Sequence, residues 1–183
     1  MCYITTFTGK HFDPTKPDMD QVDIRDIAHA LSLTCRGNGH VKTFFSVAQH
    51  CINCALEAEA RGYSREVILA CLIHDASEAY MSDVPRPFKK SLPKYRQAED
   101  KLLEMIYGKF LGRGLLEEEA ALVKRIDDDM LYYDLKELLN EVTEGEAPEV
   151  KITLSYRVIP FEAVETFYLE LYHKLTAKNC TKE

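Results

Sequence analysis

Residues 67–73 read Val-Ile-Leu-Ala-Cys-Leu-Ile and run directly into His74-Asp75. A helix that is apolar on most of its sides has to sit at the centre of its fold. Ser64 is placed to cap it, and Pro85 and Pro87 bound it at the far end. His74 and Asp75 are therefore expected inside a central helix, where an imidazole beside a carboxylate is costly unless something pairs with them. Two explanations stay open: a capped or solvent-facing pair near the helix end, or part of a buried site.

The neighbouring segments supply the rest of a helical fold. Residues 43–61 carry Phe44, Val47, Ala48, Cys51, Ala55, Leu56 and Ala58 at helical spacing, and Gly62 breaks the run. Upstream, aromatic and β-branched residues around Gly9-Lys10 predict a short β-hairpin. Asp23 can cap a helix carrying Ile24, Ile27, Ala28, Ala30 and Leu31 that ends before Gly37-Asn38-Gly39. Downstream, helices are predicted over about 93–111, 116–140 and 161–175, and 152–158 alternates as a strand or extended loop. The 183 residues show no repeat, linker or low-complexity stretch. The expected fold class is all-α: a single domain over 1–183, a bundle of about five to seven helices with a minor β-hairpin or strand element.

Charge and composition narrow the function. Thirty acidic against 23 basic residues give a net charge of −7, which disfavours polymeric nucleic acid but leaves room for a small phosphorylated ligand in a local basic pocket. No apolar run approaches the roughly 20 residues a membrane helix needs, and the first residues show no basic-then-apolar leader. The expectation is a cytoplasmic protein with no membrane partner. Six cysteines without a secretion signal read as reduced thiols. Cys2 and Cys180 lie near the termini, and Cys35, Cys51, Cys54 and Cys71 fall in apolar stretches. Cys51-x-x-Cys54 lacks both the second pair of a structural zinc site and the βαβ setting of a redox motif, so these are expected to be core thiols.

Spacing brings a second histidine to His74. Gly62 lies twelve residues from both His50 and His74. In an antiparallel helix pair both imidazoles would then stand about 18 Å from the turn, at the same height and able to face each other. Asp127, in the run Ile126-Asp-Asp-Asp-Met130, follows a core-stripe position. It is either part of a solvated charge run or the fourth member of a His2Asp2 set, which suits Mn, Fe, Co, Ni or Zn without choosing among them.

These positions resemble the H…HD…D signature of the HD-domain metal-dependent phosphohydrolases. Ser46-Val-Ala-Gln-His50, His74-Asp-Ala-Ser-Glu78 and Asp83-Val-Pro-Arg-Pro87 are similar to words of small bacterial 5′-deoxynucleotidases. Asp23-Ile-Arg-Asp-Ile-Ala-His29 and Arg36-Gly-Asn-Gly-His40 look closer to phage-type deoxyadenosine triphosphohydrolases. The resemblance covers a motif-bearing core of about 7–134.

It implies a divalent transition metal held by His50, His74, Asp75 and Asp127, with a second metal such as Mg bridged by Asp75. It also implies Glu78 and Asp83 as proton-handling carboxylates, Glu78 sharing the helix face of His74 and Asp75 at i+4 and i+3. Arg36, His40 and Lys89 are the implied phosphate-binding residues; Lys89 is the inward-facing member of Arg86, Lys89, Lys90, Lys94 and Arg96. The expected activity is hydrolysis of a nucleotide, either a deoxynucleoside monophosphate or triphosphate, with a non-catalytic nucleotide-binding regulatory module as the alternative. A homodimer is implied, with the apolar C-terminal helix as a source of interface.

Overall fold

The computed structural model describes residues 3–142 and 145–177, so Cys2 and Cys180 lie outside the described residues. The chain opens with a two-stranded antiparallel hairpin, β1 (Ile4–Thr5) and β2 (His11–Phe12), in which Ile4 faces Phe12. Gly9 supplies the positive φ of +83° that the turn requires. Phe12 is fully buried and stacks on Tyr80 at 4.1 Å, which pins the hairpin against the short segment carrying Glu78.

The first three α-helices each begin where a side chain takes a free amide. Asp23 accepts from the Arg25 amide at 3.0 Å and opens α1 (Ile24–Leu33). α2 (Val47–Ala60) starts four residues later than periodicity suggests. Ser46 and Gln49 form a capping box there: Gln49 N donates to Ser46 Oγ at 3.2 Å and Ser46 N to Gln49 Oε1 at 3.0 Å. Ser64 caps α3 (Arg65–Ile73) through the Val67 amide. Two single turns follow, α4 (Glu78–Met81) and α5 (Arg86–Lys89). Then come α6 (Pro93–Leu111), α7 (Glu117–Leu139) and α8 (Phe161–Thr176), each within two residues of its predicted bounds.

α3 packs against α2, α6, α7 and α8, which explains why it is apolar all round. Leu72 and Ile73 of α3, Leu102 and Ile106 of α6, Ile126 and Met130 of α7, and Tyr168 of α8 are almost completely buried around it. The apolar stripe of α8 (Val164, Tyr168, Leu171, Leu175) is buried within this same chain. Among the described residues no helix is long and apolar enough to cross a membrane.

The alternating stretch 152–158, expected as a strand or an extended loop, forms no strand among the described residues. It is anchored instead by Glu57, a fully buried carboxylate of α2 that accepts from the amides of Lys151 at 2.9 Å and Ile152 at 3.0 Å and from Arg61 Nε at 2.7 Å. One expectation needs correction: α3 ends at Ile73, so His74 and Asp75 stand past its end rather than inside it. Two of its last carbonyls are taken by side chains: Cys71 O by His74 Nδ1 at 2.8 Å and Leu72 O by the Tyr168 hydroxyl at 2.7 Å. The following amides bond three residues back, Ala76 to Ile73 O and Glu78 to Asp75 O.

Two predictions follow from these contacts. Glu57→Ala strips a buried acceptor from three donors and is expected to cost roughly 2–4 kcal/mol in urea unfolding; an unchanged midpoint would mean the 150s segment docks without it. Asp23, bonded to the Arg25 side chain and amide and 3.2 Å from Lys10 Nζ, is held far below the usual carboxylate range. A lowered folded pKa stabilises above the unfolded value of about 3.9 and is lost as pH falls below it. Between pH 5 and pH 3, Asp23→Asn should therefore lose less stability than the wild type, whereas equal losses would show that its charge contributes nothing.

Candidate metal centre

The α2–α3 hairpin turns at Gly62, whose φ is +78°. The equal spacing from that glycine does bring the two imidazoles level, with ring centroids 5.3 Å apart. His50 is fully buried and His74 nearly so.

Their hydrogen bonds assign their tautomers. His50 Nδ1 lies 2.9 Å from Asp134 Oδ2 and donates to it, which puts the lone pair on Nε2. That lone pair faces Asp127 Oδ1 at 3.2 Å. His74 Nδ1 donates to Cys71 O, so its Nε2 lone pair faces Asp75 Oδ2 at 3.3 Å and Asp127 Oδ1 at 3.7 Å. His74 Nε2 is buried with no hydrogen-bond partner. Two lone pairs aimed at shared carboxylate oxygens repel unless a cation or a proton lies among them. Without a metal ion the balance falls to protons. Burial opposes charging both imidazoles, but the carboxylates and thiols around them raise both well above their ordinary value. Asp127, despite its burial, is held far below the carboxylate range by the same two rings. Buried His, Cys and Asp side chains here could hold a metal ion: the donor atoms of His50, Cys54 and His74 lie within 4.8 Å of one another, as do those of Cys51, His74 and Asp75.

The aspartate run divides three ways. Asp127 turns inward to the histidines, Asp128 pairs on the surface with Lys124, and Asp129 meets Arg61 at 2.8 Å. Arg86 holds the second oxygen of Asp127 at 2.7 Å.

The cluster opens into a cleft of about 680 Å³, within the size range of small-molecule sites. His74, Asp75, Asp127, Glu78, Asp83, Arg36 and Lys89 all line it. Glu78 reaches it for a different reason from the one expected. The chain bends through 74–77, so no shared helix face exists, and Glu78 instead opens α4. Its Oε2 is buried without a partner. Burial, then the charges of Asp75 and Asp83, push its carboxyl well above the ordinary range. Burial likewise raises Asp83, against Arg36.

Arg36 stands on a turn whose Gly37, Asn38 and Gly39 all have positive φ. Its Nη2 lies 3.1 Å from Asp134 and its Nη1 3.5 Å from Asp75. Lys89 turns inward as expected, 2.7 Å from Glu99 and 3.9 Å from Glu78. Arg86 and Arg96 also line the cleft; Lys90 and Lys94 do not. His40 is exposed and is not among the lining residues. His29 sits elsewhere, stacked on Phe7 at 3.7 Å and paired with Glu165 at 2.9 Å.

Sequence reasoning missed Asp134, which joins His50, Arg36 and the Tyr156 hydroxyl. Its signal was available: it lies seven residues after Asp127, two helical turns along the same face of α7.

A direct check is metal content. The purified chain is expected to retain a divalent ion after dialysis, measured by elemental mass spectrometry, and His74→Ala or Asp127→Asn to weaken its affinity about tenfold or more. Equal retention by all three proteins would remove these residues from the ligand set.

No protein-family model matches the chain. It is similar to "Uncharacterized protein YfdR" of Escherichia coli (strain K12), with 39% identity over 138 residues, 75% of this chain and 73% of that protein. It is also 32% identical over 108 residues to an uncharacterized protein of Rhodobacter capsulatus, covering 56% of this chain and about half, 55%, of that protein.

Proposed function

The chain belongs to the family of the Escherichia coli protein YfdR, and we propose that it is a metal-dependent phosphohydrolase of the HD type that acts on nucleotides, with deoxynucleotides as the first substrates to test. The observation that carries this reading is the buried, partnerless Nε2 of His74, converging with His50 Nε2 on Asp127 at the floor of an open cleft. His50, His74, Asp75 and Asp127 would hold the ion. When bound, a divalent metal supplies Lewis acidity toward a phosphoryl oxygen and brings the pKa of water to about 7.

The remaining work falls to this chain's own groups. Asp134 fixes the His50 ring through Nδ1, and the Cys71 carbonyl fixes that of His74. Glu78 and Asp83, both raised above the ordinary carboxylate range, are placed to pass a proton to or from a reacting oxygen. Arg36, Lys89 and Arg86 present positive charge to a phosphate in the same cleft. The overall acidity of the chain fits a small anionic substrate met by local cations better than a nucleic-acid polymer.

The test is a product-resolved assay on the metal-stripped chain reloaded with Mn, Co, Zn or Mg. Deoxynucleoside monophosphates and triphosphates are offered separately. Metal-dependent inorganic phosphate from monophosphates identifies a nucleotidase, and tripolyphosphate from triphosphates a triphosphohydrolase. Glu78→Gln and Asp83→Asn should each lower kcat by about 100-fold with metal content unchanged. Nucleotide binding without product under every metal would replace this reading with a non-catalytic binding module.

A further inference from the structure

The carboxylates approach the two imidazoles from the cleft, but sulfur approaches them from the core. Cys54 lies one helical turn beyond His50 on α2, and its Sγ is 3.5 Å from His50 Nε2. It is 1% exposed and does not line the cleft. The donor atoms of His50, Cys54 and His74 cluster within 4.8 Å, and His74 Nε2 in that cluster is buried without a partner. Donors held at 2.0–2.3 Å around one tetrahedral ion stand roughly 3.3–3.7 Å apart. The sulfur–nitrogen separation falls in that band, as does the 3.3 Å between His74 Nε2 and Asp75. The imidazoles therefore have two possible completions, one made of oxygen and one of sulfur.

Resting on the metal-centre reading above, we propose that Cys54 is a ligand of this centre for thiophilic ions: zinc is bound by His50, His74 and Cys54, whereas manganese takes the two imidazoles with Asp75 and Asp127. Ion softness provides the physical basis. Thiolate favours zinc, and carboxylate suits manganese and magnesium. Ligation breaks the S–H bond as the sulfur–metal bond forms, and the proton leaves to solvent. Metal identity would then select which donors complete the shell around the two imidazoles. Cys51, three residues earlier on α2, competes for this role only through the group it forms with His74 and Asp75, which does not include His50.

The experiment is X-ray absorption spectroscopy at the zinc edge on the metal-stripped full chain reloaded with one equivalent of zinc. A sulfur shell at about 2.3 Å is expected beside nitrogen and oxygen at about 2.0–2.1 Å. It should vanish in Cys54→Ala and in the near-isosteric Cys54→Ser, and persist in Cys51→Ala and Cys71→Ala. Zinc affinity should fall at least about tenfold in the Cys54 variants while manganese affinity moves less than about twofold. Circular dichroism confirms that each variant folds, and the wild-type spectrum alone can refute the proposal. A shell of nitrogen and oxygen only, or a sulfur shell lost with Cys51 instead of Cys54, overturns it and leaves the phosphohydrolase reading standing. Failure to bind zinc or any other divalent ion overturns both.

Discussion

The carbonyl groups at the end of α3 lie in the dry interior, and each must find a donor there. Cys71 O finds the Nδ1–H of His74, and Leu72 O finds the hydroxyl of Tyr168 from α8. With those acceptors taken, the backbone leaves its i+4 ladder and bends, carrying Asp75 and Glu78 onto the wall of the cleft. The same bond that ends the helix also determines which nitrogen of His74 is free. A proton given to Cys71 O leaves the lone pair on Nε2, directed at Asp75 and Asp127. Helix termination, side-chain placement and tautomer are thus one event.

Around that bend the carboxylates separate into two kinds. Asp134 is buried and Asp127 partly so, yet each is matched by an imidazole and by an arginine, and both stay below the ordinary range. Glu78, buried, and Asp83, partly buried, have weaker compensation and rise above it. Within one cleft the carboxylates thus split into two held charged and two pushed toward the protonated form, a division that the proposed acid–base roles would use. The division is set by local partners rather than by residue type, since both kinds include an aspartate.

Much of this was legible in the sequence, because the interactions responsible are short-range. The Asp23 and Ser64 caps, the Gly9 turn and the bounds of α6, α7 and α8 follow from residues a few positions apart. The level placement of His50 and His74 followed from counting to Gly62. What was not legible depends on partners far along the chain. The end of α3 is shaped by Tyr168, 96 positions away, so apolar periodicity alone extended the helix through His74. Glu57 reads as an ordinary helix charge until the amides of Lys151 and Ile152 are seen to need an acceptor. Asp134 stood in register with Asp127, but its pairing with Arg36, 98 positions away, has no local mark. Cys51, Cys54 and Cys71 are buried free thiols packed in the core, as their apolar setting indicated.

Three cations of the cleft are already engaged. Arg36 sits between Asp134 and Asp75, Arg86 holds Asp127, and Lys89 holds Glu99. At these three an entering anion gains only by exchanging partners, and each exchange leaves a carboxylate to be compensated. The three exchanges are unequal. Arg86 is about half exposed and its carboxylate faces the two imidazoles, so Asp127 can lose it and remain compensated. Arg36 is almost buried and supports Asp134 and, through it, the orientation of His50, so displacing it would loosen the ring. The geometry thus ranks Arg86 as the cation released most cheaply to an incoming phosphate and Arg36 as the one that must keep its place. Under the proposed function, a phosphate taken up by Arg86 would also free Asp127 Oδ2 from its arginine.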